Sequence, residues 1–398
     1  MTPFKPLAID CVVGARPNFV KIAPILRALQ SRAGVVTRLI HTGQHYDFQM
    51  DKVFFEELRI PAPDINLGIG SGNAASQIAR VILALEGVFS AQRPDLVLVV
   101  GDVNSTLGAA LTATKMSIPV AHVEAGLRSF DRAMPEEINR VLVDQISDLH
   151  FVTEPSGVEN LANENIGPGH IHLVGNVMID SLLANLDRAV AAEHTIAEIG
   201  ASKVFRLAAQ ESGYLFATLH RPSNVDDPGK LEGLLRAFAH ISRKMPLVFA
   251  IHPRTRSNIT RLGLDHWLEG PLLATTGPLS YLHAIGVMQS ARAVITDSGG
   301  MQEETTALGV PCLTMRENTE RPITVEQGTN FLIGHDFDLL ERKVAEILSR
   351  GGESCRIPPM WDGKAAERIA DAVVAYLKKG QRQVARPVLV SEPLMASA

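Results

Sequence analysis

The chain has 398 residues, 46% apolar and 20% charged, with a net charge of −5. That length favours two domains, and the composition excludes a disordered, collagen-like or low-complexity chain. The interspersed, slightly acidic charge argues against a nucleic-acid duplex or a membrane surface as partner. Cys11, Cys312 and Cys355 are too few and too scattered for a disulfide framework or a cysteine-based zinc site. They suit a reducing cytoplasm, the expected location. The N-terminus has no charged segment followed by a long apolar one, so no signal peptide is expected. No run approaches 18 apolar residues, so no transmembrane helix is expected.

Short apolar runs alternate with helical stretches along the chain. Residues 7–13 read as a strand, followed by the turn Gly14-Ala15-Arg16-Pro17 and an amphipathic helix to about Gln30. Further strands are expected at 35–40, 96–100, 119–123, 149–152 and 171–174. A second series is expected at 215–219, 247–251, 272–275, 293–296 and 312–315, preceded by a helical segment over 181–192. Near-continuous apolar strands separated by helices mean parallel sheets covered on both faces. The reading is α/β, with two doubly wound, Rossmann-like domains. The first spans 1–175 and the second 176–363. A final helix spans 364–378, and residues 379–398 are expected to be a loose tail.

Ligands of open parallel sheets bind beyond the carboxyl ends of the strands, and those positions are polar in both halves. They carry Gly14 and Arg16, with Lys21 one turn further; His41, Gln44 and His45; Gly101 and Asp102; Glu124; His220 and Arg221; His252 and Arg254; and Asp297-Ser298-Gly299-Gly300. Such a distribution points to a polar ligand held in a cleft between the domains. Arg16 and Lys21 beside a helix N-terminus suit phosphate. Ser298 is placed to cap a helix, and Gly299 and Gly300 let a phosphate approach the backbone. Glu303 or Glu304, one turn on, can accept hydrogen bonds from a ribose. Pro135 opens a helix on which Ile138, Leu142 and Ile146 form an apolar face, while Glu136, Asn139 and Arg140 share another. Glu136 with Asp102 and Glu124 makes three carboxylates near one cleft, a set suited to acid–base chemistry. Gly68-Ile69-Gly70-Ser71-Gly72-Asn73 lacks a preceding strand and a third glycine, so a nicotinamide cofactor is not expected. His41 and His45, and His170 and His172, do not have the setting of a metal site. There is no Walker loop or nucleophile elbow.

GARPNFVKIAPI, HTGQHYD, VVGDVNST, HVEAGLRSF, MPEEINRVLVDQISDLHF, VGNVMID, TLHRPSNVD, IHPRT, DSGGMQEE and RENTERPITVEQGTN occur in that order. The chain resembles the non-hydrolysing UDP-N-acetylglucosamine 2-epimerases from residue 7 to about 378. The resemblance implies a glycosyltransferase-B-type fold with the final helix crossing back to the first domain. It implies reversible conversion of UDP-N-acetylglucosamine to UDP-N-acetylmannosamine through 2-acetamidoglucal, with no cofactor or metal, in a homodimer. By motif position, Asp102, Glu124 and Glu136 match the family's carboxylates, Arg140 an orienting cation and His220 its functional histidine. Arg16 and Lys21 match phosphate-side cations, and Ser298, Gly299 and Gly300 the diphosphate turn. Glu304 matches the ribose ligand and Arg321 a further cation. Gln44 and His45 match part of an allosteric substrate site, but Tyr46-Asp47 replaces the Arg-Glu pair of many bacterial members. That replacement is similar to members acting on further modified UDP sugars, such as diacetamido uronic acids. A UDP-sugar glycosyltransferase is the remaining alternative.

Overall fold

The computed structural model describes residues 5–43, 48–350 and 356–384, with the side chains of 16, 48–52, 350 and 380–384 excepted. Seven strands form the first sheet: β1 (Leu7–Val13), β2 (Val35–His41), β3 (Ile65–Asn66), β4 (Leu96–Val100), β5 (Val120–Ala125), β6 (Leu149–Val152) and β7 (Ile171–Leu173). Six form the second: β8 (Leu215–Thr218), β9 (Leu247–Ala250), β10 (Leu273–Thr276), β11 (Ala293–Thr296), β12 (Cys312–Thr314) and β13 (Asn330–Leu332). The order is β3-β2-β1-β4-β5-β6-β7 in one and β10-β9-β8-β11-β12-β13 in the other. Every pairing is parallel. Each sheet is thus doubly wound, with a switch point between β1 and β4, or between β8 and β11, where a crevice opens for ligand.

The strand period of two divides the core into layers. In the first sheet Ile9, Cys11, Val13, Leu96, Leu98 and Val100 face one layer, and Val12, Val97 and Val99 face the other. In the second, Leu215, Ala217 and Phe249 face one side, and Phe216, Val248 and Val294 the other. The helix Ala365–Val384 comes from the far end of the chain, yet Ile369, Ala370, Val373 and Leu377 lie in the first sheet's core. Its start is fixed by Asp180, whose carboxylate accepts from the Ala365 and Ala366 amides at 3.2 and 2.7 Å.

Several expectations are corrected. β3 and β13 are additional to the expected strands: β3 has two residues, and β13 is the short run Asn-Phe-Leu, opened by a polar residue. The segment expected to be helical over 181–192 is a helix at Val177–Asn185 followed by a 3-10 turn, Leu186–Arg188. Asn176 caps that helix by accepting from the Met178 amide. The last helix continues through Gly380 to Val384, where a loose tail was expected; residues 385–398 lie outside the described residues. The helix Ala74–Ala91 is long and apolar enough to cross a membrane by length and composition. Its Val81, Leu85 and Phe89 are buried against the first sheet.

Candidate active site

The turn after β1 is fastened by Asn18. Its Oδ1 accepts from the Gly14 and Ala15 amides at 3.0 and 3.1 Å, and its Nδ2 donates to the Val100 carbonyl at 3.0 Å. Two backbone donors that suited an anion are therefore taken by the chain itself. The Arg16 side chain, Gln44 and His45 lie outside the described residues. Lys21 is buried and ion-paired with Glu124.

Glu124 is set by a break in the sheet. The β5–β6 register shifts between Val123 and Ala125, and Glu124 adopts φ +72°. A non-glycine residue in the left-handed region stores strain and often marks a functional position. Burial favours the neutral acid, but Lys21 and Arg321 hold the Glu124 carboxyl below its ordinary range. Arg321 Nη2 lies 2.8 Å from Glu124 Oε1. Its Nε lies 2.8 Å from Oε1 of the buried Glu303, which also accepts from Asn176 Nδ2 at 2.9 Å.

Asp102 follows Gly101 at the end of β4. Arg140 Nη1 donates to Asp102 Oδ2 at 2.5 Å, and Asn139 Nδ2 donates to the Asp102 carbonyl at 2.8 Å. Of the polar face expected on the helix Pro135–Ile146, Asn139 and Arg140 are buried. Glu137, Val143 and Asp144 are buried with them, while Leu142 is 45% exposed. The reason is what lies beneath the helix: the polar strand ends. Glu136 is exposed, and its charge acts on Arg221 of the second domain. The adjacent Glu137 accepts from the Ser129 and Phe130 amides, both at 2.9 Å, and from Arg140 Nη2 at 2.8 Å.

In the second domain Asp297 organises the crevice. Its buried carboxylate accepts from the His220 and Arg221 amides and from Asn224 Nδ2, and lies 3.0 Å from His220 Nδ1. Burial opposes its ionisation, but these partners hold its carboxyl below the usual range. The His220 side chain is 42% exposed, so its ring remains open to a ligand. Ser298 stands at the helix N-cap, but its side chain makes no cap hydrogen bond, which corrects the capping expectation. A Cβ on Gly299 would lie 2.5 Å from Arg321 Nη1, which places this turn against Arg321. Glu304 accepts from the Tyr281 hydroxyl at 3.0 Å, and burial pushes its carboxyl up to about 8. Glu320 pairs with Arg316 at 2.6 Å and Arg321 at 2.5 Å. The structure therefore joins Lys21, Glu124, Arg321 and Gly299 directly and sets Asp102–Arg140 beside them; Gly101 bridges the groups, since a Cβ there would lie 3.2 Å from Lys21 Nζ and 3.3 Å from Glu124 Oε2. Glu137, Asp144, Asn176 and Glu320 were absent from the sequence-based site, because spacing alone does not separate them from surface charge.

Two doubly wound domains whose switch-point crevices share one polar assembly define an α/β fold of the glycosyltransferase-B type. The family model described as UDP-N-acetylglucosamine 2-epimerase matches residues 27–374. The chain belongs to that family. It is 40% identical to the UDP-N-acetylglucosamine 2-epimerase of Methanocaldococcus jannaschii over 366 residues, 91% of this chain and 98% of that one. It is 42% identical to the UDP-2,3-diacetamido-2,3-dideoxy-D-glucuronate 2-epimerase of Pseudomonas aeruginosa over 347 residues, 86% of this chain and 93% of that one. The crystal structure of the M. jannaschii UDP-GlcNAc 2-epimerase in complex with UDP-GlcNAc and UDP superposes with a TM-score of 0.83 at 39% identity, covering 93% of this chain and 100% of that one.

Proposed function

We propose that this chain interconverts UDP-N-acetylglucosamine and UDP-N-acetylmannosamine by inversion at carbon 2, without net hydrolysis. The observation that carries the reading is the contact of Arg321 with both Glu124 and the Gly299 turn. An acid–base carboxylate and a turn suited to diphosphate are joined by one cation.

The proton on carbon 2 is weakly acidic, so its removal must be coupled to departure of UDP from carbon 1. A carboxylate takes the proton, the carbon–oxygen bond to UDP breaks, and the electron pair forms the double bond of 2-acetamidoglucal. Protonation of carbon 2 from the other face and return of UDP to carbon 1 give the epimer. This requires an acid and a base on opposite faces of the sugar. Asp102, Glu124 and Glu136 are the candidates, with Arg140 orienting Asp102. His220, Arg321 and the backbone amides at Gly299 and Gly300 would receive the charge of the departing diphosphate. When Arg321 turns toward diphosphate, Glu124 loses a neighbouring cation and becomes a stronger base. Glu304 would hold the ribose, and closure of the domains would keep water from the intermediate.

The second reading is 2-epimerisation of a diacetamido uronic acid linked to UDP. It is favoured by Tyr46-Asp47 and by the 42% identity to the P. aeruginosa enzyme. Offering each UDP sugar separately and following epimer formation by NMR distinguishes the two. A homodimer is the proposed assembly, tested by light scattering.

A further inference from the structure

Beneath the acid–base groups lies a buried charge network that the reaction scheme does not use. His122 and Asp144 are both fully buried. His122 Nδ1 lies 2.7 Å from Asp144 Oδ1, and its Nε2 lies 2.9 Å from the Gly101 carbonyl oxygen. The second carboxylate oxygen of Asp144 accepts from the Gly126 amide at 3.0 Å and from Arg128 Nη2 at 2.7 Å. Arg128 in turn pairs with Glu164 at 2.6 Å, and the Asp144 main-chain carbonyl meets His150 Nε2 at 2.7 Å.

The contact points matter more than the number of bonds. Gly101 immediately precedes Asp102. Gly126 closes the bulge that turns Glu124 out of β5, and His122 is two residues before Glu124. One ring and one carboxylate thus fasten the end of β4 to both sides of the β5 bulge. We propose that His122 and Asp144 are positioning residues for this reaction, setting Asp102 and Glu124 relative to each other; the proposal rests on the epimerase reading above. The ring thus meets the Asp144 carboxylate at one nitrogen and the Gly101 carbonyl at the other. A buried ion pair is weak support for stability, because apolar replacements of similar volume often serve as well. Its value here is geometric.

The test uses Asp144→Asn and His122→Gln in the full chain, with kcat, KM and UDP affinity measured for each. Misplacement of a reacting group by about 1 Å costs about 10²-fold. The expected result is a loss of that order in kcat, with KM and UDP affinity close to those of the parent. Parent-like kcat in both variants overturns the proposal, and so does a loss matched by an equal rise in KM. Nitrogen-15 NMR of the parent's histidines gives a readout that no folding failure can remove. A slowly exchanging, hydrogen-bonded N–H on His122 is expected, and an imidazole with none overturns the proposal. A parent that turns over neither UDP sugar removes the epimerase reading and this role with it, whereas an active parent with unimpaired variants removes only this role.

Discussion

Arg321 Nη2 lies 2.8 Å from Glu124 Oε1, although 197 positions separate the two residues; Glu124 lies in β5 of the first sheet and Arg321 follows β12 of the second. The contact links the acid–base side of the cleft to the diphosphate side. It also means that Glu124 is charge-compensated by Arg321 as well as Lys21, and that a diphosphate would compete with it for Arg321.

Glu124→Gln keeps the shape of the side chain but removes its charge and its basicity. Turnover is expected to fall by about 10² to 10⁴-fold, the range of general acid–base catalysis, with UDP still bound. Arg321→Lys loses the planar fork that reaches Glu124, Glu303 and Glu320 together, and should weaken UDP binding as well as kcat. Calorimetric titration with UDP beside steady-state kinetics checks both; loss of UDP binding in Glu124→Gln with unchanged turnover per bound substrate would contradict the assignment.

Glu137 holds Arg140 from behind while Arg140 holds Asp102. Glu137→Gln cannot satisfy Arg140 and the two loop amides with the same charge-assisted bonds. A stability loss of about 1–3 kcal/mol is expected, with a drop in kcat larger than the change in KM. Urea unfolding and kinetics on the same preparation read the two effects, and a fully active, fully stable variant would remove Glu137 from the account.

Gly126 has φ +79°, and a Cβ there would lie 2.4 Å from the Gly157 carbonyl oxygen. Backbone cannot yield as a flexible side chain can. Gly126→Ala should cost about 1–3 kcal/mol or more in stability and shift the Glu124 bulge. Thermal unfolding tests the first expectation and kcat the second; a parent-like melting temperature would show that the strand can relax.

Two buried carboxyls make stability fall with rising pH. Burial pushes Glu304 up to about 8, with the nearby Glu303 charge adding to the effect. Burial likewise pushes Glu154 up to about 7, against the hydrogen bond from Ser156. In the unfolded chain both return toward the ordinary value of 4.5. Between those limits the folded chain binds protons that the unfolded chain releases, so their contribution to stability is full below pH 4.5 and is lost as pH rises through 7 and 8. Glu304→Gln should flatten the slope of unfolding free energy between about pH 5 and about pH 8 in ligand-free protein. An unchanged slope would contradict this.

Most of the architecture was legible because β4 or β11, buried on both faces, reads as an uninterrupted apolar run between helices. What escaped was short or polar. β3 contains two residues, and β13 opens on Asn330 rather than as an apolar run. On the helix Pro135–Ile146, Asn139 and Arg140 were legible as a polar face and are buried on the strand ends, but the burial of Glu137 and Asp144 beside them was not. For the site, residues just past the strands, such as Asp102, His220 and Ser298, were accessible from topology alone. The pairing of Lys21 with Glu124 was not, nor was the use of the Gly14 and Ala15 amides by Asn18. Those depend on how separate segments meet, which spacing along one segment does not encode.

The central claim is tested most directly by proton NMR of the protein with UDP-N-acetylglucosamine in heavy water, followed by the diacetamido uronate analogue. The account predicts the carbon-2 epimer carrying deuterium at carbon 2, with the nucleotide sugar intact. Accumulation of free sugar and UDP, or epimer that retains its original hydrogen at carbon 2, would contradict it.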